Sequence, residues 1–368
     1  MDSVPYSFCD DVATVMDDFS DVDLSQLSAT EWRSWRSVFK QHKEKRKTIW
    51  IDAFSEDDKS VKYYAQGNVW IDSVRQEGVP LLRQRTPEAF SLEDLKKIDK
   101  KYVRISALRM EQNGTTHPHF FINQSAFKIA PWNDFISTVC GLPLWGIQRK
   151  GWYLYLNLDP RYHHVMDKLL KALEKHTIAT LTLAYTGQQC EIFLQRQLQK
   201  GFMESLILIG RWPNADHLTS SIKNFFRSPN GNSCTVSDES ALRGDFETFR
   251  ILFDRFLDPQ EKQSSLTLCI SFSEETMRTI KGYRTDLQPN EEDSDEDVVA
   301  TWEFARNAST ASEFDPHSES QLPEFDPLSL GISEFTITRQ PASGSRQLEP
   351  LDNQHDFPNQ YYIQVDLL

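Results

Sequence analysis

The sequence predicts an α/β protein in three parts. A small N-terminal helical motif spans 1–47, an α/β domain with a mostly parallel, βα-repeat sheet spans 48–284, and an acidic, largely disordered tail spans 285–368. Three observations predict it. One apolar stripe runs through the first twenty residues at helical spacing. A short Leu-x-Leu pattern recurs every 25–32 residues between 152 and 272, with a helical pattern in each gap. Acidic charge is concentrated after residue 285.

At the N-terminus, Phe8, Val12, Val15, Met16 and Phe19 fall at i, i+4, i+7, i+8 and i+11, with Asp10, Asp11, Asp17 and Asp18 between them. Leu24 and Leu27 continue in a short second turn. Thr30 suits the N-cap of a third helix carrying Trp32, Trp35, Val38 and Phe39, which closes on the basic run Lys40–Lys47. That run reads as a solvated helix end or as a nuclear-localisation patch.

The period then shortens. Residues 48–52, 61–64 and 69–74 read as strands, the last two joined as a hairpin across Gln66-Gly67-Asn68. Residues 102–110 alternate as a good strand, 118–122 form a weaker one, and a helix opens on Pro131 and runs to Val139. The repeating strands follow: Leu154/Leu156/Leu158, Leu181/Leu183, Leu206/Leu208, Cys234/Val236 and Leu266/Leu268/Ile270. The helices between them carry Val165/Leu169/Leu173, Cys190/Phe193/Leu194/Leu198, Leu218/Ile222/Phe225/Phe226 and Phe246/Phe249/Phe253/Phe256. Strands joined by helical crossovers pair in parallel. Stacked units of leucine-rich-repeat character are one layout, and a compact three-layer α/β domain is the other.

The net charge is −14, but between 285 and 330 thirteen acids face one arginine, so residues 1–284 are nearly neutral. That balance argues against a nucleic-acid or anionic-membrane partner. No apolar run approaches the ~18 residues of a membrane span. The N-terminus carries Asp without Lys or Arg and lacks the apolar region of a secretory signal. Five scattered cysteines fit a reduced, intracellular setting. Beyond Asn307 polar residues dominate and disorder is expected, with 335–338 and 361–365 as short β-like exceptions and 298–304 as a possible last strand. Ser294, with acids at the three following positions, suits an acidophilic kinase or belongs to an unmodified linker.

Residues for catalysis, metal or cofactor are not expected. There is no glycine-rich phosphate loop, no G-x-S-x-G elbow and no H-E-x-x-H helix. His117 and His119 have no further ligand at metal spacing, and the adjacent His163 and His164 diverge by about 100° on a helix. Asp57-Asp58 and Glu274-Glu275 read as solvated turns, and Cys190, Cys234 and Cys269 as small core residues.

Val4-Pro5, Phe8, Val12, Val15 and Met16, then Leu24-x-x-Leu27-Ser28, then Trp32-x-x-Trp35 with its basic finish, together resemble an F-box. Val4 stands where that motif usually has Leu. An F-box-like motif before a larger α/β or leucine-rich-repeat-like domain is similar to the large nematode-type F-box families. The likeness covers 4–47 as a motif and 100–275 in organisation. It implies a non-enzymatic substrate-recognition subunit of a cullin-RING ubiquitin ligase. Val4, Pro5, Phe8, Val12, Val15, Leu24, Leu27 and Trp32 would make or support contact with a Skp-type adaptor, and the α/β domain would select a protein substrate. The alternative is an intracellular scaffold or regulator with no ligase link, its N-terminal helices capping the sheet.

Overall fold

The computed structural model describes residues 6–15, 33–55, 57–67, 73–76, 79–82, 88–112, 127–142, 153–258, 265–283, 298–306, 331–340 and 360–366. They form a mixed α/β protein in two compact units, Met1–Glu204 and Ser205–Leu368. The sequence reading instead divides the chain at 47/48 and 284/285.

The first unit begins with helices α1 (Tyr6–Val15) and α2 (Arg33–Lys45), which pack on each other. Cys9 and Ala13, four apart on α1, are fully buried, as are Val38 and His42 on α2. Strands β1 (Lys47–Ser55) and β2 (Ser60–Gly67) form an antiparallel hairpin. The Asp57 carboxylate shapes its turn, accepting from the Lys59 and Ser60 amides at 2.8 and 2.6 Å and from the Ser60 hydroxyl at 2.8 Å. A separate ribbon pairs β3 (Ser73–Gln76) with β4 (Val79–Leu82), and β5 (Glu88–Phe90) pairs with the end of β2. The expected hairpin across 66–68 is therefore corrected: Gln66 and Gly67 are strand. Gly67 is not there to turn the chain, because the Phe90 ring occupies the space a Cβ would need.

Helix α3 (Leu92–Lys97) starts with a Ser91/Asp94 capping box. It precedes β6 (Val103–Gln112), parallel to β1, and β7 (Lys128–Pro131), antiparallel to β2. Helix α4 (Trp132–Val139) opens on Pro131 as expected. Then come β8 (Tyr153–Asn157), α5 (His163–Leu173), β9 (Thr180–Ala184) and α6 (Gln188–Gln199). The strand order is β2–β1–β6–β8–β9, with β5 and β7 on the outer side of β2. The strands from β1 to β9 in that order are parallel.

Consecutive helices from α3 to α6 touch one another, so they share one face. Right-handed crossovers between parallel strands laid down in chain order require this. Ile51, Leu108, Leu154 and Leu181 form one buried row beneath the helices, and Ala53, Met110, Leu156 and Leu183 form the next. Tyr63 joins the second row and packs on Phe135 of α4, ring centroids 5.6 Å apart. At ~25 cal/mol per Å2 of buried apolar surface, such rows supply most of the drive to fold.

The second unit repeats the plan with β10 (Ser205–Ile209), α7 (Asp216–Arg227), β11 (Ser233–Val236), the two-residue β12 (Arg243–Gly244), α8 (Phe246–Leu257), β13 (Ser265–Phe272) and α9 (Glu274–Lys281). Strands β10, β11 and β13 are parallel. Phe225, Phe226, Phe249, Phe253 and Phe256 from α7 and α8 are buried over Leu206, Leu208, Val236 and Leu268. Asp245 caps α8 by accepting from the Thr248 amide at 2.8 Å.

Strands β14 (Val298–Arg306), β15 (Gly331–Gln340) and β16 (Gln360–Asp366) complete this sheet in the order β13–β16–β15–β14, all antiparallel. These segments contain the stretches 298–304, 335–338 and 361–365 that the sequence reading sets apart from the rest of the tail as strand-like. The local alternation was visible in sequence, but the pairing that uses it is long-range. The rest of 285–368, Ser294 included, lies outside the described residues, as do Met16, Phe19, Thr30, His117, His119 and the expected strand at 118–122.

Candidate functional site

Two surfaces of the first unit gather chemically informative side chains. The first is the α1/α2 pair. Phe8 is 52% exposed and Tyr6 45%, while Val12 and Trp35 are half-buried. The Phe8 ring stands edge-on to Trp35 at 6.1 Å, Trp35 lies 5.3 Å from Phe39, and the Tyr6 hydroxyl donates to Gln41 Oε1. The apolar stripe read in sequence is thus not the face that α1 buries: small Cys9 and Ala13, which lie outside that stripe, go inside, and Phe8 stays out. Val15 ends α1, but its side chain is outside the described residues. So are Val4, Pro5, Leu24, Leu27 and Trp32.

Beneath this pair sits a polar network that sequence reading missed. Buried His42 donates from Nε2 to Asp10 Oδ1 at 2.8 Å. Arg46 Nη2 lies 3.3 Å from His42 Nδ1 and donates to the Ala13 carbonyl at 2.6 Å, and since a guanidinium only donates, Nδ1 is the acceptor. Lys101 Nζ reaches Asp10 Oδ2 at 3.2 Å. The His42 ring also contacts Tyr102, 5.0 Å away. Burial pushes the Asp10 carboxyl up, but hydrogen bonds from His42 and Lys101 outweigh it and hold the group below the usual range. Burial pushes the His42 ring down, aided by Arg46. The basic run is partly consumed in packing: Arg46 serves α1, and Lys47 lies 4.9 Å over the Phe90 ring.

The second surface is the face of the sheet turned away from α3–α6. Cross-strand register lays three rows across β1, β6 and β8. They are Trp50–Ala107–Tyr153, Asp52–Arg109–Tyr155 and Phe54–Glu111–Asn157. Small Ala107 lets the Trp50 and Tyr153 rings stack above it, centroids 6.2 Å apart, and Tyr153 stacks on Tyr155 at 6.2 Å. Arg109 lies 5.3 Å over the Tyr155 ring and donates to Glu111 Oε1 from Nε at 3.1 Å and Nη2 at 2.5 Å. Asp52, 4% exposed, accepts from Trp50 Nε1 at 3.0 Å. Burial raises its carboxyl, and Glu111 adds to the rise against the pull of Trp50 and Arg109. None of these residues was singled out from sequence. The available signal was alternation in which the face opposite the leucines carried rings and charges instead of Ser or Thr.

None of the cysteines is disulfide-bonded, and all five are buried. Burial pushes the Cys140 thiol up to about 12 and Cys269 to about 11, so neither is a ready thiolate at neutral pH. His163 and His164 are exposed at the start of α5. Among the described residues no three His, Cys, Asp or Glu are grouped to hold a metal ion, and no helix is long and apolar enough to cross a membrane.

Set against known proteins, the chain matches no family model, no curated protein and no solved structure.

Proposed function

We propose that the protein is a non-enzymatic substrate-recognition subunit of a cullin-RING ubiquitin ligase, with F-box-like helices that take a Skp-type adaptor. In this reading the leucine-rich-repeat-like α/β part selects a protein substrate. The observation that carries it is Phe8, left 52% exposed on a helix whose small residues are the ones buried. A large ring held out on a short amphipathic helix, with Tyr6, Val12 and Trp35 around it, suits insertion into a partner's groove. The compartment this implies is intracellular.

Capture of a purified Skp-type adaptor by the full chain tests the reading. Phe8→Asp combined with Trp32→Ala should weaken capture by roughly thirtyfold or more, the loss expected for a central aromatic anchor. Equal capture by the variant, or no capture by the wild type, contradicts it.

One observation favours the scaffold reading. The Asp10–Lys101 ion pair and the His42–Tyr102 contact fasten α1 and α2 to residues preceding β6. Helices that cap the body need such ties.

A further inference from the structure

The fold brings together two basic stretches that lie far apart in sequence. Lys45-Arg46-Lys47 leads into β1, and Lys96-Lys97 and Lys100-Lys101 lead into β6. Parallel pairing of these neighbouring strands, with Lys47 opposite Val103, sets both approaches on the same edge of the sheet. Tyr102 joins them: the Lys45 and Lys101 ammoniums lie 5.4 and 4.9 Å from the centre of its ring. The carboxylates along these stretches are already engaged. Asp10 holds His42 and Lys101, Glu44 lies 3.9 Å from Lys40, and Glu93 lies 2.9 Å from Lys96. Asp94 and Asp99 accept from the Ser91 and Lys101 amides. Lys45, Lys97 and Lys100 stay exposed, and none of the three pairs with a carboxylate among the described residues. Like charges gathered by folding repel one another until an anion joins them, so this edge gains from a negatively charged partner.

The side chains also select the anion. Arg46 and Arg104 turn inward: Arg46 donates to the Ala13 carbonyl, and Arg104 Nη1 to the Lys101 and Val103 carbonyls at 3.2 and 2.7 Å. The guanidinium forks that would grip a phosphate are thus withheld, and single-point ammoniums on flexible stems face solvent. Such a set suits a run of separate carboxylates. A nucleic-acid site neutralises roughly 6–10 phosphates, more than these few lysines can meet, and the net charge of −14 opposes a long polyanion. We propose that the edge of the first unit's sheet where β1 and β6 begin binds an Asp- and Glu-rich segment of a partner protein. Lys45, Lys97 and Lys100 carry the contact. This goes beyond the ligase reading and does not rest on it.

The test titrates a fluorescent hexaglutamate peptide with the full chain and reads anisotropy, with hexaglutamine and a short oligothymidylate as comparisons. Hexaglutamate should bind saturably at low salt and weaken severalfold as salt rises from about 50 to about 200 mM, and hexaglutamine should not bind. Lys45→Gln, Lys97→Gln and Lys100→Gln together should weaken hexaglutamate about tenfold, the scale of three exposed charge pairs. Removing the same charge elsewhere, by Lys59→Gln, Lys168→Gln and Lys171→Gln, should leave the affinity at that of the wild type. If the first triple variant fails to fold, Lys97→Gln with Lys100→Gln leaves Lys45 on the Tyr102 ring and should still weaken binding severalfold. Four results overturn the proposal: no saturable hexaglutamate binding, equal binding of hexaglutamine, tighter binding of oligothymidylate, or equal affinity in the two sets of lysine variants. Phe8→Asp should bind hexaglutamate as the wild type does, so failure of this edge is read separately from failure of adaptor capture.

Discussion

Asp52 and Asp10 are both carboxylates in contact with donors, yet their folded environments push them in opposite directions. Asp52 is buried against an indole and its carboxyl is raised. Asp10 accepts from His42 and Lys101 and ends below the usual range. Their contributions to stability therefore have opposite pH dependence. The Asp52 contribution is present at acid pH and fades as pH climbs through its folded pKa. The Asp10 contribution is present above the ordinary carboxylate range and fades as pH falls. His176 gives a larger effect. Burial lowers its ring to about 4, helped by Lys175 and Lys200 against a hydrogen bond to the Cys140 backbone. Its Nε2 is buried without a partner, so protonation there would create an unsatisfied charged donor. The unfolded chain takes up this proton near 6.5 and the native protein resists it. Stability held above that value is thus lost as pH falls toward 4, by up to about 3 kcal/mol. Urea melts at pH 7 and pH 4.5 should show His176→Gln losing markedly less stability on acidification than the wild type. Equal losses would contradict this account of His176.

At the scale of elements, the repeating strands were legible because each carries Leu-x-Leu facing helices that carry their own apolar stripes. The structure places all five within one or two residues of the expected positions. The hairpin was misplaced because Gly67-Asn68 looks like a turn, whereas the true turn at Asp57 lacks an Asn-Gly or Asp-Gly pair and is built by a side chain. The polar-aromatic face was not legible, since its rows exist only once β1, β6 and β8 lie in register. The role of Asp10 was not legible beyond its place among the acids between the stripe residues, because its partners lie 32 and 91 residues away. The attachment of α1 and α2 is also an element-scale question. Since β1 begins at Lys47, a deletion of residues 1–45 leaves the sheet whole. If these helices form a detachable docking module, the deleted protein keeps a cooperative melt with a midpoint lowered by several degrees. Loss of the cooperative transition would favour the capping scaffold.

In both units of the molecule, parallel strands follow chain order and neighbouring helices touch each other. In the first unit the opposite face is left to rings and charges, and a separate exposed aromatic surface sits on α1. The account gives the helix pair and the α/β part different jobs, adaptor capture and substrate choice, carried by one chain. Hydrogen exchange of the full chain with and without a purified Skp-type adaptor tests that division most directly. Adaptor binding should slow exchange in Tyr6–Val15 and Arg33–Lys45 and leave β1, β6 and β8 unchanged. Unaltered exchange in both helices at saturating adaptor, or protection confined to the sheet, would contradict it.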